Sequence, residues 1–314
     1  MDRRCTRIPP RRDGGGAVSP RKLRLVLPKG SLEHATLELF AAADLAVRRS
    51  SGVDYRATIE DDRIGEVRIL RPQEIPVYVE DGLFDIGITG RDWIEERGAN
   101  VVSLGELRYA KETANPVRVV LAVAQDAPYE RIEDLAKHDG KLRVSTEYPE
   151  LTRRCLAEHG IDAEISVSYG ATEAKVPDIA DCVVDMTETG RALRAAGLRV
   201  VHTLLVSSTE LVANPDSAAD PALRRFMEQI LVLLQGTIEA REKVLVKLNV
   251  STDGLDAVLS RLPALRSPTI AELAGGGYAL ETVVPKREIN TLIPALKEAG
   301  AMDILELALS KIVH

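Results

Sequence analysis

Asp181-Cys-Val-Val-Asp-Met-Thr-Glu-Thr-Gly-Arg-Ala-Leu193 is the stretch on which the reading of this chain turns. Cys182 to Val184 is a short apolar run of the kind that makes a buried strand. The character then changes within one residue. Asp185 and Glu188 bring carboxylates, Thr187 and Thr189 bring hydroxyls, and Gly190 permits a tight backbone. Arg191 to Ala196 reads as a helix closed by Gly197. A strand end, a Thr/Gly turn and a helix N-terminus together form an anion cradle, because unpaired backbone N–H groups and the helix dipole both favour negative charge. In that reading the N–H groups from Glu188 to Ala192 hold a sugar 5-phosphate, and Asp185 meets ribose hydroxyls or a magnesium ion. An ordinary hydroxyl-capped turn explains the same residues, and on this stretch alone it is the stronger reading.

The pattern continues in both directions. Towards the N-terminus, strands are expected at Leu23–Leu27, Val67–Leu70, Phe84–Thr89, Val101–Leu107 and Pro116–Ala124. Helices are expected at Leu32–Ala42 with Ser31 as N-cap, from Pro72 to about Asp81, and from Trp93 to Gly98. The residues between Ala42 and Val67 read as a polar connection. A second unit repeats the alternation: Tyr129–His138 helical, Lys141–Ser145 strand, Pro149–His159 helix and Ala163–Ser168 strand, then strands near Arg199–Val206 and Glu210–Ala213. Such alternation predicts α/β lobes with mostly parallel sheets and ligands at the strand C-terminal ends. Pro221–Ala240 is one long helix with Leu223, Phe226, Ile230, Leu233 and Leu234 on a stripe. The remainder reads β-α-β-β-α-β, a ferredoxin-like unit whose last strand spans Ile304–Ile312.

Composition narrows the function. The 314 residues are 45% hydrophobic and 28% charged, enough for a sizeable core. A net charge of −7 offers no basic excess for nucleic acid. No apolar run approaches a membrane span, so no membrane partner is expected. Residues 1–22 are locally basic, lack apolar periodicity and read as a disordered tail without the apolar core of a secretory signal. Cys5, Cys155 and Cys182 are far apart and fit reduced thiols in a cytoplasm.

Other strand-end turns carry similar chemistry. Pro28-Lys-Gly-Ser31 offers a cation to a phosphate, and Gly90-Arg-Asp92 repeats the arrangement. Ser145-Thr-Glu-Tyr-Pro149 offers Tyr148 to a base or to a core, and Ser168-Tyr-Gly-Ala-Thr-Glu173 a glycine turn with a carboxylate. Each has a bland explanation alone. Four of them, from two units able to face each other, point to a cleft.

In combination these stretches resemble ATP phosphoribosyltransferase. The resemblance rests on Leu-Pro-Lys-Gly-Ser (27–31), Leu-Arg-Pro-Gln-Glu-Ile-Pro (70–76), Phe-Asp-Ile-Gly-Ile-Thr-Gly-Arg-Asp (84–92), Glu-Tyr-Pro (147–149), Gly-Ala-Thr-Glu (170–173) and the opening stretch. Leu-Arg-Ser-Pro-Thr-Ile (265–270) and Val-Val-Pro-Lys-Arg-Glu-Ile-Asn (283–290) are similar to the C-terminal domain of the long form. The resemblance implies a two-lobed, type II periplasmic-binding-protein-like catalytic half. Lobe I would comprise 23–112 and 202–240, lobe II 113–201, and a regulatory domain 241–314. It implies transfer of phosphoribosyl from phosphoribosyl pyrophosphate to N1 of ATP with magnesium, inhibition by histidine, and a homo-oligomer from dimer to hexamer.

Carried onto this chain, phosphoribosyl pyrophosphate would be bound by Asp185, Thr187, Glu188, Thr189, Gly190, Arg191 and Ala192. Asp185 and Glu173 would be catalytic, and Asp185 would also be the metal ligand. ATP would be met by Lys29, Gly30, Arg71, Gly90, Arg91, Asp92 and Tyr148, and histidine by Ser267, Thr269 and Ala301. Two positions depart from the family pattern: Ala192 stands where a threonine is usual, and Ser31 where an arginine is frequent. Rival readings are a two-lobed binding protein without catalysis, a regulatory paralogue, and a phosphoribosyltransferase of the single-domain class.

Overall fold

A computed structural model describes residues 21–52, 54–109, 117–263 and 267–314. Cys5, nearly all of the tail expected at 1–22 and the lobe boundary expected at 112/113 lie outside the described residues. The chain runs β1 (Leu23–Pro28), α1 (Glu33–Ala42), β2 (Val47–Arg48), β3 (Arg56–Ile59), β4 (Ile64–Leu70), α2 (Ile75–Glu80), β5 (Ile86–Gly90), α3 (Arg91–Arg97) and β6 (Val102–Glu106). It continues through β7 (Val117–Ala124), β8 (Leu142–Thr146), α4 (Pro149–Glu158), β9 (Ala163–Val167), β10 (Cys182–Thr187), α5 (Arg191–Ala195) and β11 (Leu198–Ser207). Next come β12 (Thr209–Ala213), α6 (Pro215–Ala219), α7 (Pro221–Arg241), β13 (Lys243–Val250), α8 (Leu255–Leu259), β14 (Thr269–Glu272), β15 (Tyr278–Pro285), α9 (Ile289–Glu298) and β16 (Met302–Ala308).

Three sheets result. The first has the order β2-β3-β4-β1-β5-β12-β6, the second β11-β7-β10-β8-β9, and the third β14-β15-β13-β16. The third is the antiparallel ferredoxin-like order, with α8 and α9 covering a face lined by Val244, Val246, Leu248 and Val250. The first two make the two lobes. They are mixed sheets, not the mostly parallel ones expected. β1 is parallel to β4 and β5, and β8 to β9 and β10, whereas β10 and β11 run antiparallel to β7, and β12 to β5 and β6. For β12 the cause is the second passage between lobes. β11 closes the second sheet and, one residue later, β12 enters the first against its parallel strands. The boundary expected at 201/202 therefore falls inside β11, which pairs with β7 through Ser207.

Central strands are buried on both faces, which is why their sequences are continuously apolar. In β1, Leu23, Leu25 and Leu27 pack with α1 and α7, while Val26 packs with Ile75 and Val79 of α2. α7 begins where its sequence dictates. Pro221 needs no N–H partner in the first turn, and the Asp220 carboxylate accepts from Ala222 N at 2.8 Å and Leu223 N at 3.3 Å. Its buried residues include Leu223, Met227, Ile230 and Leu234, so Met227 replaces the Phe226 and Leu233 of the expected stripe, which are only partly buried. Each such side chain contributes about 1.5–3 kcal/mol by leaving water.

Other expectations shift for local reasons. α1 has Leu32 at its N-cap and no side-chain cap, so Ser31 does not cap it. α2 starts at Ile75 with Pro76 in its first turn, leaving Arg71 and Pro72 in the preceding turn. The polar connection from 43 to 66 contains β2 and β3, held antiparallel beside β4. The helix expected over 129–138 is a 3-10 turn at Ile132–Lys137. β16 ends at Ala308, short of the Ile312 expected. The residues beyond leave the sheet and return to α7: Ile312 N donates to Gly236 O at 2.9 Å, and Lys311 pairs with Asp44. A Cβ on Gly236 would lie 3.0 Å from Ile312 O, so the close approach depends on glycine.

Candidate active site

The opening stretch folds as a strand, a turn and one helical turn. β10 carries Asp185 and ends at Thr187, three residues beyond the apolar run. Gly190 takes φ +70°, a left-handed conformation that glycine adopts without penalty. Its N–H donates to Thr187 Oγ1 at 2.9 Å, and Arg191 N–H donates to Thr189 Oγ1 at 3.4 Å. Two amides expected to face a phosphate are thus held by the loop's own hydroxyls. α5 spans only Arg191–Ala195, so its dipole adds little. What supports a cradle is space. An open pocket of about 540 Å³ is lined by Met186, Thr187, Glu188, Thr189, Arg191, Ala192 and Ala195.

Asp185 stands at the end of this pocket's strand. Burial, opposed by the Met186 N–H and reinforced by the charges of Glu173 and Glu147, pushes its carboxyl up to about 6. Glu147 was not among the expected site residues. Its place follows from pairing: Ser145 lies beside Val183 and Thr146 beside Val184, which brings the next residues of β8 and β10 together. Glu173 is carried by a 3-10 turn at Thr172–Lys175. Lys175, also unforeseen, fixes that turn by donating to Ser168 Oγ at 2.6 Å and Ser145 Oγ at 3.2 Å. No spacing rule in the sequence flags Glu147 or Lys175, because their neighbours come from other strands.

The residues expected to meet ATP divide into two groups. Lys29 and Gly30 follow β1 and Arg71 follows β4, with Gly30 at φ +89° and the Arg71 guanidinium 4.0 Å from where a Cβ on Gly30 would stand. These face outward at the strand C-terminal ends. Gly90 closes β5, and a Cβ there would meet Asp92 Oδ1 at 2.1 Å. Arg91 is committed to Glu95 at 2.5 Å and lies 3.8 Å from Glu210.

Asp92 and Tyr148 are buried at the joint between the lobes. Tyr148 is 1% exposed, its hydroxyl donates to Asp92 Oδ2 at 2.9 Å, and its ring lies 4.7 Å from that of Trp93. The stacking of Tyr148 on a base therefore finds no open ring face here, and Asp92 offers no free oxygen. Ser207 donates to Asp92 Oδ1 at 2.6 Å. One turn along α3, buried Glu96 accepts from Glu150 N at 3.0 Å and Leu151 N at 2.8 Å, capping α4 from the other lobe.

The three residues expected to meet histidine do not converge within one chain. Thr269 opens β14 at one edge of the third sheet, with Ser267 just before it, and buried Ala301 precedes β16 at the other edge. Three strand spacings separate those edges, about 14 Å. Among the described residues no group of three or more His, Cys, Asp or Glu is arranged to hold a metal ion. Among the described residues an all-protein metal cage is thus not formed. A cation shared between one or two carboxylates and substrate phosphates, the usual mode for magnesium, fits Asp185 and its neighbours.

Comparison with known proteins decides the family. Residues 71–236 match the ATP phosphoribosyltransferase family, and residues 240–311 match its C-terminal domain. The chain belongs to the ATP phosphoribosyltransferase family. The ATP phosphoribosyltransferase of Pelotomaculum thermopropionicum is 46% identical over 295 residues, covering 93% of this chain and 99% of the relative. That of Chlorobium phaeovibrioides is 45% identical over 296 residues, covering 94% and 99%. Among solved structures, an ATP phosphoribosyltransferase (HisG:HisZ) complex from Thermotoga maritima matches with TM-score 0.58 and 28% identity, covering 69% of this chain and 98% of that one. The chain is accordingly a transferase of the family that performs the first step of histidine biosynthesis, and it carries that family's C-terminal domain at 240–311.

Proposed function

We propose that this chain joins the 5-phosphoribosyl group of phosphoribosyl pyrophosphate to N1 of ATP and releases pyrophosphate, under feedback inhibition by histidine. The observation that carries this reading is the pocket against Thr187–Ala195 with the raised Asp185 carboxyl on its strand. Adenine N1 has an available lone pair, so the nucleophile needs positioning more than deprotonation. The ribosyl centre gains positive charge as pyrophosphate leaves, and the carboxylates of Asp185 and Glu173 would stabilise it. Thr187, Glu188, Thr189, Gly190, Arg191 and Ala192 would surround the 5-phosphate, with the two loop hydroxyls giving up their amides to it. Lys29, Gly30, Arg71 and Gly90 would meet ATP. Magnesium, held by Asp185 and substrate phosphates, would supply charge that offsets the leaving pyrophosphate.

The enzyme would work in the cytoplasm as a homo-oligomer, dimer to hexamer. The separation of Thr269 from Ala301 fits a histidine site that needs more than one copy of the chain. Its own C-terminal domain would make a separate regulatory subunit unnecessary. The test is to mix the chain with ATP, phosphoribosyl pyrophosphate, magnesium and pyrophosphatase and follow the ultraviolet absorbance of the adduct. Adduct should form and millimolar histidine should suppress it. No adduct would leave a binding or regulatory role, and turnover indifferent to histidine would remove the inhibitor.

A further inference from the structure

Tyr55 precedes β3 at the end of the first sheet where β1 and β4 finish, and its carbonyl accepts from Ile69 N at 3.0 Å. Its side chain is 53% exposed, although aromatic rings ordinarily leave water. The Lys29 ammonium stands 4.0 Å over the ring centroid. Among the described residues neither Lys29 nor Arg71 has a carboxylate within ion-pair distance, whereas Arg49, Arg63, Arg68 and Arg91 in the same lobe each have one. An uncompensated ammonium on an exposed aromatic ring, with a second such cation close to the adjoining Gly30, matches the chemistry of a nucleotide, whose phosphates need positive charge and whose base needs a flat apolar surface.

We propose that the Tyr55 ring is the platform on which the adenine of ATP stacks, and that Lys29 leaves the ring for the phosphates when the nucleotide arrives. The cation–π contact at an exposed ring is weak, so a phosphate oxygen outcompetes it for the ammonium. The exchange frees the ring face as it charges the phosphate subsite. Tyr55 takes the role that buried Tyr148 cannot fill in this geometry. Tyr169 is 95% exposed, but among the described residues it has no cation over its ring. This inference rests on ATP being the substrate and adds the residue that holds its base.

Equilibrium binding to the 314-residue chain, without the second substrate, separates the two ideas. Tyr55→Ala should weaken ATP binding about tenfold, the scale of a lost base–aromatic stack, and leave inorganic tripolyphosphate binding unchanged. Tyr55→Phe should restore ATP binding. Lys29→Met should weaken both ligands. Unchanged ATP binding in Tyr55→Ala, an equal loss for tripolyphosphate, or a comparable loss on Tyr169→Ala would each overturn the assignment. Failure of wild-type protein to form adduct would sink the reaction, whereas the binding comparison speaks to Tyr55 alone. A matching far-ultraviolet circular dichroism spectrum for each variant excludes misfolding.

Discussion

Tyr148 and Asp92 bond across the two lobes at 2.9 Å, both almost fully withdrawn from water. The carboxylate also takes the Ser207 hydroxyl, so three segments meet on one anion. Burial, and then the charge and hydrogen bond of Asp92, push the Tyr148 phenol well above its ordinary value. Tyr148→Phe would strand one buried carboxylate oxygen. A hydrogen bond to a charged group is worth about 1.5–3 kcal/mol, and the urea midpoint should fall accordingly. An unmoved midpoint would mean that the joint does not hold the lobes.

Asp185 should govern the acid side of the pH profile. Its carboxyl is lifted to about 6 by burial together with Glu173 and Glu147, so it is charged at pH 7.5 and neutral well below 6. If the anion stabilises the ribosyl transition state, kcat/KM falls as pH drops through about 6. Asp185→Asn should lose roughly 100-fold in kcat and the acid limb with it. Stability runs the other way. Between the ordinary carboxylate value of about 4 and the folded value, the folded chain binds the proton more tightly, so stability falls as pH rises through that window. Asp185→Asn should therefore raise Tm at pH 7.5. A lower Tm would contradict the electrostatic account.

Asp85 is a structural contrast. Its side chain is fully buried, and burial opposes ionisation, yet the Arg24 guanidinium and N–H and the Ser217 hydroxyl outweigh it and hold the carboxyl below the usual range. Asp85→Ala leaves Arg24, whose side chain is one-third exposed, without its carboxylate partner, and losing charge-assisted hydrogen bonds of this kind costs about 1.5–3 kcal/mol. The sign is ordinary: this stabilisation is present above the unfolded carboxylate value and is lost as pH falls through the folded one. Acid unfolding of the wild type, followed by circular dichroism, should begin earlier than in a variant with an apolar pair at 24 and 85. Identical acid midpoints would discount Asp85 as the trigger.

Ala192 lines the pocket, at the position where the resemblance leads to the expectation of a threonine. Ala192→Thr restores a hydroxyl donor to the phosphate wall. One added hydrogen bond of about 1 kcal/mol corresponds to a KM for phosphoribosyl pyrophosphate lowered about fivefold, with the KM for ATP unchanged. Equal changes in both would place the residue outside the phosphate subsite.

The elements were legible in the sequence wherever a single strand or helix announces itself. The both-face burial of β1 and the Asp220-Pro221 start of α7 are written in consecutive residues. Strand direction was not: β12 reaches β5 only after the second crossing, and β7 follows the first crossing and runs opposite to β10 and β11. The same limit applies to the site. Thr187, Glu188, Thr189, Arg191 and Ala192 share one pocket because they share one loop. Glu147 comes within electrostatic reach of Asp185 through the pairing of β8 with β10, and Lys175 reaches Ser145 by a hydrogen bond, neither of which a local motif records. Tyr148 was read as a ligand contact because a tyrosine at a strand end looks the same whether it faces a cleft or plugs a joint. Only Asp92 and Trp93, 56 and 55 residues earlier, decide between them.

The bond from Ile312 to Gly236 fastens the end of the chain to the helix that leads into the C-terminal domain. A part fixed at two points turns about the line between them and does not swing on a tether. Whatever the C-terminal domain senses would then reach the first lobe as torque along α7, with Lys311 on Asp44 as the outer anchor. A protease nick at the α7–β13 junction would leave such a domain clinging to the body, held by its own last residues.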